Sequence, residues 1–279
     1  MSLWTAWLVV PAADRASREQ ALEHLAESGF VVTSRETSRD GPWRLSLFGQ
    51  GARPSLDGGW TWETLPEKDW VAENQRSFQP FRVGPFWVHP SHVRDGLPPG
   101  LLPIEIDAGL AFGTGTHATT RGCLEMLATL DPADTANAVD VGCGSGILAI
   151  AMAKLWKRPV LGGDNDAQAV EVAIDNAALN GVASLCRFVT AIGLAAPELA
   201  QRAPYDLIVA NILAGPLVEL SESFAAATRR GGRVLLSGLL VEQADMVVSA
   251  YTHRDFALER HIDLETGGAE WRTLLLRKP

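Results

Sequence analysis

The chain has 279 residues, of which 47% are hydrophobic and 20% are charged, and its formal net charge is −9. This length suffices for one large domain or two smaller ones around substantial apolar cores. The acidic balance argues against general nucleic-acid binding, because phosphate contacts need clustered Lys and Arg, and it favours a basic protein partner. We therefore expect no direct contact with nucleic acid.

Cysteine and histidine usage indicates neither a disulfide framework nor a metal site. Cys123, Cys143 and Cys186 show no CxxC spacing, and His89 and His92 have no further ligands at a useful distance in sequence. No stretch reaches the roughly 20 apolar residues of a membrane helix, and the N-terminal apolar run lacks the basic start of a signal peptide. We expect a cytoplasmic monomer without a metal or a membrane contact.

Residues 1–65 predict a small α+β domain of ferredoxin-like type in a shortened form. Strands are predicted over 4–10, 30–33, 43–48 and 60–65, and a helix over 14–28. Seven of the nine tryptophans precede residue 90, which favours a small core filled with large side chains, with an exposed partner surface as the alternative. Residues 66–79, with a short helix over 66–78, are predicted to link this domain to a catalytic domain over 80–279.

From residue 138 onward, apolar strands alternate with amphipathic helices. Strands are predicted over 138–141, 160–162, 187–189, 206–210 and 233–237, and helices over 147–156, 167–179, 216–229 and 241–251. A terminal antiparallel hairpin, 256–261 and 270–276, is predicted at the sheet edge. The fold class is therefore α/β, with a doubly wound, Rossmann-like, mostly parallel sheet of seven strands.

The segment AVDVGCGSGILAI places Gly142, Gly144 and Gly146 between a strand and a helix. Glycines there let a ligand approach the backbone closely. Asp164 follows the next strand, where a carboxylate accepts hydrogen bonds from ribose hydroxyls, so the two features predict a nucleoside site. The spacing G-x-G-x-G departs from the G-x-G-x-x-G of dinucleotide sites and disfavours a nicotinamide oxidoreductase. Asp140 either holds this loop or merely interrupts the strand.

Two further segments carry polar residues in unusual places. GLAFGTGTHATT precedes an apolar helix without the G-K-[ST] of a phosphate loop, and its simplest interpretation is a loop with Thr116 as the helix N-cap. DLIVANILAGP ends a buried strand with Asn211, which needs hydrogen-bond partners there unless it only forms a turn.

Together, GLAFGTGTHATT, VDVGCGSGILAIAMAKL, DLIVANILAGPL and DWVAENQRSFQPFRVGPFWVHPSH resemble the PrmA family of ribosomal protein methyltransferases, over about residues 69–279. The FGTGTH and NILAGPL segments discriminate best, since many methyltransferases share the glycine loop. The resemblance implies a class I methyltransferase fold, S-adenosylmethionine as methyl donor, and a basic substrate, ribosomal protein L11. It also implies repeated methylation of the N-terminal amine and lysine amines of that substrate.

The resemblance assigns site residues one by one. The cofactor-binding set is Phe112, Thr114, Thr120, Gly142, Gly144, Asp164 and Asn211. Asn211 is the candidate that orients the amine, and His117 is the candidate that carries a proton, with a packing or capping role as the alternative for His117. The part before Asp69 is shorter than in many relatives, which implies a reduced substrate-recognition domain.

Other functions remain open on the sequence. They are methylation of another protein or a small molecule, and a non-catalytic module that binds S-adenosylmethionine. Nucleic-acid methylation is disfavoured, because Asn211 is followed by Ile212 and Leu213 rather than by an N-P-P-Y-like continuation.

Overall fold

The computed structural model describes residues 3–15, 17–18, 22, 31–36, 41–50, 52–56, 59–65, 79–93, 97–107 and 117–279. The chain divides into two compact units, Met1–Glu73 and Asn74–Pro279. The helix predicted over 14–28 lies mostly outside the described residues, and the one predicted over 66–78 lies wholly outside them. The domain limits given above, including the linker, stay predictions. Within the described ranges, no helix has both the length and the apolar character needed to span a membrane.

The first unit contains one antiparallel sheet. Its strands are β1 (Leu3–Val10), β2 (Val31–Glu36), β3 (Trp43–Gln50) and β4 (Thr61–Leu65). They lie in the order β2-β3-β1-β4, which is the strand order of a ferredoxin-like sheet. Only ten residues join β3 to β4, and the described ones, 52–56 and 59–60, form no helix. This short connection accounts for the reduced form that the sequence predicts.

Alternation along β1 and β3 separates a core face from an outer face. Trp4, Ala6, Leu45 and Leu47 are at most 1% exposed and form the core with other apolar side chains. The partly buried tryptophans that pack against this cluster are Trp43, Trp60 and Trp62. Large aromatic side chains therefore fill much of this small core, as the sequence favoured.

The second unit begins with a small sheet that the sequence analysis missed. Its strands are β5 (Phe81–Val83), β6 (Phe86–His89) and β7 (Leu102–Glu105), in the order β5-β6-β7. With three or four residues each, these strands are too short to show a clear alternation of apolar and polar positions.

The large sheet of the second unit has seven strands. They are β8 (Ala138–Val141), β9 (Val160–Asp164), β10 (Cys186–Thr190), β11 (Tyr205–Asn211), β12 (Thr228–Leu240), β13 (Ala257–Thr266) and β14 (Ala269–Arg277). Their order is β10-β9-β8-β11-β12-β14-β13, with β8 to β12 parallel and β14 antiparallel to both of its neighbours. The predicted doubly wound sheet with a terminal hairpin is confirmed.

Helices cover both faces of this sheet. They are α1 (Ala118–Leu127), α2 (Ile147–Trp156), α3 (Ala167–Leu179), α4 (Pro197–Ala200), α5 (Ala214–Glu219), α6 (Ser221–Ala227) and α7 (Ala244–Thr252). Leu124 and Ile150 belong to the apolar layer on one face, and Leu217 and Val247 belong to the layer on the other. Both layers are buried, so the strands between them read as continuous apolar runs.

One predicted helix is wrong in its limits. The segment 216–229 forms two short helices that meet at Leu220, and Thr228 already belongs to β12, where it pairs with Tyr205. Hydroxyl groups bind backbone carbonyls beside the interruption and at the end of the second helix. Ser221 Oγ donates to the Val218 carbonyl and Thr228 Oγ1 donates to the Phe224 carbonyl, so both side chains compete for backbone groups of the helical turns.

Candidate functional site

The chain order of the strands reverses beside β8. From β8 the chain continues to β9 and β10 on one side of the sheet, then crosses to β11 and β12 on the other side. Open α/β sheets bind ligands at the carboxyl ends of their strands at such a switch point. Gly142, Asp164 and Asn211 lie at the carboxyl ends of β8, β9 and β11, so the fold brings these three predicted residues to one edge.

The glycine loop is tied to the end of β9 by backbone hydrogen bonds. Gly142 N donates to the Gly163 carbonyl at 2.7 Å, and Gly144 N donates to Asp164 Oδ2 at 2.8 Å. Gly142 has a φ of +71°, and a Cβ there would lie 2.3 Å from Ile212 Cγ2 in the loop after β11. The glycine is therefore required both for the backbone conformation and for the close approach of two strand-end loops.

Asp164 is half-buried at this edge, and both of its carboxylate oxygens are oriented by backbone groups. Oδ2 accepts from Gly144 N, and Oδ1 accepts from Asp166 N at 3.0 Å. A carboxylate oxygen accepts more than one hydrogen bond, so this geometry fixes the group while leaving it capacity for ligand hydroxyls.

Asp140 holds the helix that follows the glycine loop. Its side chain is 1% exposed, and its Oδ2 accepts from Ala149 N at 3.1 Å in the first turn of α2. Its Oδ1 is buried without a hydrogen-bond partner among the described residues. Burial, and to a smaller extent repulsion from Asp164, raises the pKa of Asp140 to about 7. Of the two alternatives for Asp140, the structure thus favours the one in which it anchors the loop and helix.

Asn211 and Thr120 meet across the site. Asn211 Nδ2 donates to Thr120 Oγ1 at 3.3 Å, and Thr120 is fully buried in the first turn of α1. Within the described part of the chain, Asn211 Oδ1 is buried and has no hydrogen-bond partner. A buried carbonyl without a donor is costly, so Asn211 Oδ1 is a candidate acceptor for a ligand donor.

His117 is the N-cap of α1, a place that the sequence analysis gave to Thr116. Its Nδ1 lies 2.9 Å from Thr119 Oγ1, and its ring packs edge to face on Trp271 at 4.6 Å between centroids. Partial burial lowers the pKa of His117. Thr116, Phe112 and Thr114 lie outside the described residues.

Several contacts behind this site were not predicted. Ser237 Oγ donates to the Thr119 carbonyl at 3.2 Å and lies 2.9 Å from Thr273 Oγ1. Gly122 permits this packing, since a Cβ there would lie 2.3 Å from Thr273 Oγ1. The sequence feature that could have indicated these contacts is the presence of hydroxyl residues inside the apolar strands β12 and β14, because buried polar groups need hydrogen-bond partners.

The charges at this edge favour a cationic ligand and disfavour a pyrophosphate. Asp164 and Asp166 place negative charge beside the glycine loop, and Ala149 N, one of the donors that a phosphate would use at the N-terminus of α2, is already bound to Asp140. This arrangement speaks against nicotinamide dinucleotides. No group of three or more potential metal-binding side chains occurs among the described residues.

A cavity of about 630 Å³ lies at the opposite edge of the sheet, at the amino ends of β9 and β10. Val160, Cys186 and Arg202 are among its lining residues. Because sheets of this type bind their ligands at the carboxyl edge, we do not assign the cavity to the ligand.

Known proteins are similar to this chain in sequence and fold. A family model described as ribosomal protein L11 methyltransferase (PrmA) matches residues 50–279. A ribosomal protein L11 methyltransferase from Rhodopseudomonas palustris is 41% identical over 284 residues, covering 95% of each chain. One from Bradyrhizobium diazoefficiens is 43% identical over 240 residues, or 86% of this chain and 80% of the relative.

A solved structure agrees with this match. The ribosomal protein L11 methylase of Lactobacillus delbrueckii subsp. bulgaricus superposes with a TM-score of 0.62 at 29% identity, covering 72% of this chain and 99% of the other. The glycine loop, Asp164 and Asn211 all lie within the matched residues. By fold, by sequence and by the extent of the match, the chain belongs to the PrmA family of ribosomal protein L11 methyltransferases.

Proposed function

We propose that this protein transfers methyl groups from S-adenosylmethionine to amino groups of ribosomal protein L11, at its N-terminus and at lysines. The observation that carries the proposal is the buried Asn211 Oδ1, which has no partner among the described residues and lies at the ligand-binding edge of the sheet. Membership of the family supports the choice of substrate.

The residues present fit the donor. Asp164, with both oxygens already oriented by Gly144 N and Asp166 N, is suited to accept hydrogen bonds from the two ribose hydroxyls. Gly142 lets the glycine loop pack closely against Ile212, and the acidic surroundings favour a positive ligand. When bound, S-adenosylmethionine supplies an electrophilic methyl group on a sulfonium.

Asn211 supplies orientation on the acceptor side. A lysine amine has an ordinary pKa of about 10.4, so its neutral, nucleophilic form must be favoured by removal from water. The Asn211 carbonyl accepts an N–H of the neutral amine, which fixes the direction of the nitrogen lone pair. An amide is too weak a base to take the proton, so Asn211 contributes proximity and orientation rather than proton transfer.

His117 is suited to carry the proton that the amine loses. The lowered pKa of His117 keeps its imidazole neutral near pH 7. As the N-cap of α1, His117 accepts the Thr119 N–H at Nδ1, 3.4 Å away, which favours the tautomer with the ring proton on Nε2. The contacts of Nδ1 with Thr119 fix the orientation of the ring, and uptake of a proton at Nδ1 would displace them.

We further infer that the acceptor is a protein, because a chain of net charge −9 repels nucleic acid and attracts a basic polypeptide. Such an enzyme acts in the cytoplasm, as a monomer. The competing functions are a methyltransferase for another protein or a small molecule, and a module that binds the donor without turnover.

Two measurements separate these functions. Calorimetric titration with S-adenosylmethionine and with NAD tests the donor, and we expect binding of the former alone. Transfer of labelled methyl groups is then compared among purified L11, ribosomal RNA and a mixture of small-molecule amines. Labelling of L11 alone supports the proposal, whereas binding without transfer to any acceptor supports the non-catalytic module.

A further inference from the structure

The first turn of α1 is attached to three strands of the large sheet on one face. The contacts are Thr120 with Asn211 on β11, Thr119 with Ser237 on β12, and His117 with Trp271 on β14. Two are hydrogen bonds, and the third is an edge-to-face ring contact with an interplanar angle of 76°. The Trp271 contact lies farther along the carboxyl direction of the parallel strands than the other two, since Asn211 pairs with Ser237 and Trp271 pairs with Leu240 on β12.

The register of β14 places Trp271 at the carboxyl edge of the parallel strands. Trp271 pairs with Leu240 on β12 and with Leu264 on β13. It precedes Thr273 by two residues in β14. Side chains two residues apart in a strand share a face, so Trp271 stands on the same side as Thr273, which contacts Ser237. The indole therefore continues the row of side chains that begins at Asn211.

We propose that Trp271 is a positioning residue for methyl transfer, which holds the imidazole of His117 at the acceptor side of the site through its ring edge. This inference rests on the proposed role of His117. Nothing in the motifs of the sequence pointed to Trp271, because it lies in the terminal hairpin, far along the chain from the glycine loop.

The ring contact has an electrostatic consequence. Burial is the cause that lowers the pKa of His117, and the indole is one of the groups that cover it. Two nearby charged side chains on the packing elements, Arg272 and Arg121, have other described contacts. Arg272 pairs with Asp263 at 2.6 Å, and the guanidinium of Arg121 lies over the ring of Phe81 at 4.7 Å. Loss of the indole should thus raise the pKa of His117 toward its ordinary value.

A variant that keeps an aromatic ring but lacks the indole N–H shows which of the two groups acts on His117. Trp271 Nε1 is buried, and the described residues offer it no acceptor. Removal of an unpaired buried donor is nearly neutral, so Trp271→Phe should keep the edge-to-face contact at little cost. Trp156 on α2 provides a matched control, since its buried Nε1 likewise has no acceptor within the described residues.

The test combines turnover with NMR titration of His117, measured on Trp271→Ala, Trp271→Leu, Trp271→Phe and Trp156→Phe. We expect Trp271→Ala and Trp271→Leu to raise the pKa of His117 and to lower kcat by up to about fourfold near pH 6, with less effect near pH 8, because an imidazole of ordinary pKa is only about one quarter neutral at pH 6. The donor Kd should stay within about twofold, and Trp271→Phe and Trp156→Phe should match the wild type in every readout. Trp271→Leu retains an apolar side chain and serves if the alanine variant fails to fold.

An unchanged pKa of His117 and an unchanged kcat in folded Trp271→Leu would overturn the inference. Equal impairment of Trp271→Phe and Trp271→Leu would also overturn it, because the indole N–H rather than the ring would then be the acting group. Failure of the proposed function would appear differently, as absence of methyl transfer by the wild-type protein, while the NMR titration would still decide the ring contact.

Discussion

The side chain of Asn211 is fixed at its amide nitrogen by Thr120 Oγ1, 3.3 Å away, while its buried carbonyl oxygen meets no donor among the described residues. One end of the amide is thus held in place, and the other is the end that we propose contacts a ligand. Because Thr120 belongs to α1 and Asn211 to β11, the contact also joins the helix to the carboxyl edge of the sheet.

This relationship predicts that Asn211→Ala impairs methyl transfer far more than donor binding. We expect kcat to fall at least about a hundredfold and the donor Kd to change less than about tenfold, since orientation of the amine is lost while the glycine loop and Asp164 remain. Turnover assays and calorimetry measure the two quantities. Thr120→Val should show a weaker form of the same effect, and Thr120→Ser, which keeps the hydroxyl, should not. Equal losses of kcat and donor affinity in Asn211→Ala would contradict the orienting role.

Asp164→Asn should weaken donor binding. The amide offers only one acceptor oxygen in place of two, and hydrogen bonds to a charged group contribute about 1.5–3 kcal/mol, so we expect the donor Kd to rise about tenfold to a hundredfold. Asp166→Asn is the control, because Asp166 is a neighbouring acid whose helix-capping bond to Gln168 N an Asn reproduces. A comparable loss of affinity in both variants would attribute the effect to net charge instead of to Asp164.

Gly142→Ala should reduce donor affinity at least about tenfold, because the new Cβ would displace Ile212 and strain the loop. Gly181→Ala is the matched control, since Gly181 has a similar φ of +68° but no described atom within 4 Å of the added Cβ. The control should lose about 1 kcal/mol of unfolding free energy and bind the donor normally. Addition of Ile212→Ala to Gly142→Ala should restore part of the affinity. Normal donor binding by Gly142→Ala would show that the close approach is not needed.

The buried carboxyl of Asp140 should make the free energy of unfolding depend on pH. Burial raises the pKa of Asp140 to about 7, above the value of about 3.9 expected in the unfolded chain. The folded protein therefore binds this proton more tightly, and the contribution to stability is present below about pH 4 and is lost as the pH rises to about 7.

Asp140→Asn keeps the acceptor for Ala149 N and removes the titration. The unfolding free energy of the variant minus that of the wild type should therefore increase as the pH rises, by up to about 1.4 kcal/mol for each pH unit between the two pKa values. Urea denaturation at about pH 5 and about pH 7 measures this difference. A difference that does not change with pH would place the Asp140 carboxyl in a more polar environment than its burial indicates.

The sequence predicted the large sheet well, because buried parallel strands and amphipathic helices leave strong periodic signals. The limits of β8 and of α2 agree with the prediction, whereas the helix expected over 216–229 fails where Ser221 and Thr228 bind backbone carbonyls. Such competition depends on local geometry, which composition does not reveal.

The candidate site was predictable where motifs adjoin strand ends, as at Gly142, Asp164 and Asn211. The contacts of Ser237 and Trp271 were not, because they depend on how a terminal hairpin pairs with β12, and pairing over long sequence distances leaves no local pattern. The N-cap at His117 was missed for a simpler reason. A histidine ring nitrogen took the place that a threonine hydroxyl more often fills.

We propose that this site methylates amines of ribosomal protein L11. The most direct test of this activity is incubation of the purified protein with isotopically labelled S-adenosylmethionine and unmethylated L11, followed by peptide mass spectrometry. We predict added methyl groups on the N-terminal amine and on lysine side chains of L11, and none when Asn211→Ala replaces the wild-type protein. Absence of transfer by a wild-type protein that binds the donor, or methyl groups on atoms other than amine nitrogens, would contradict the claim.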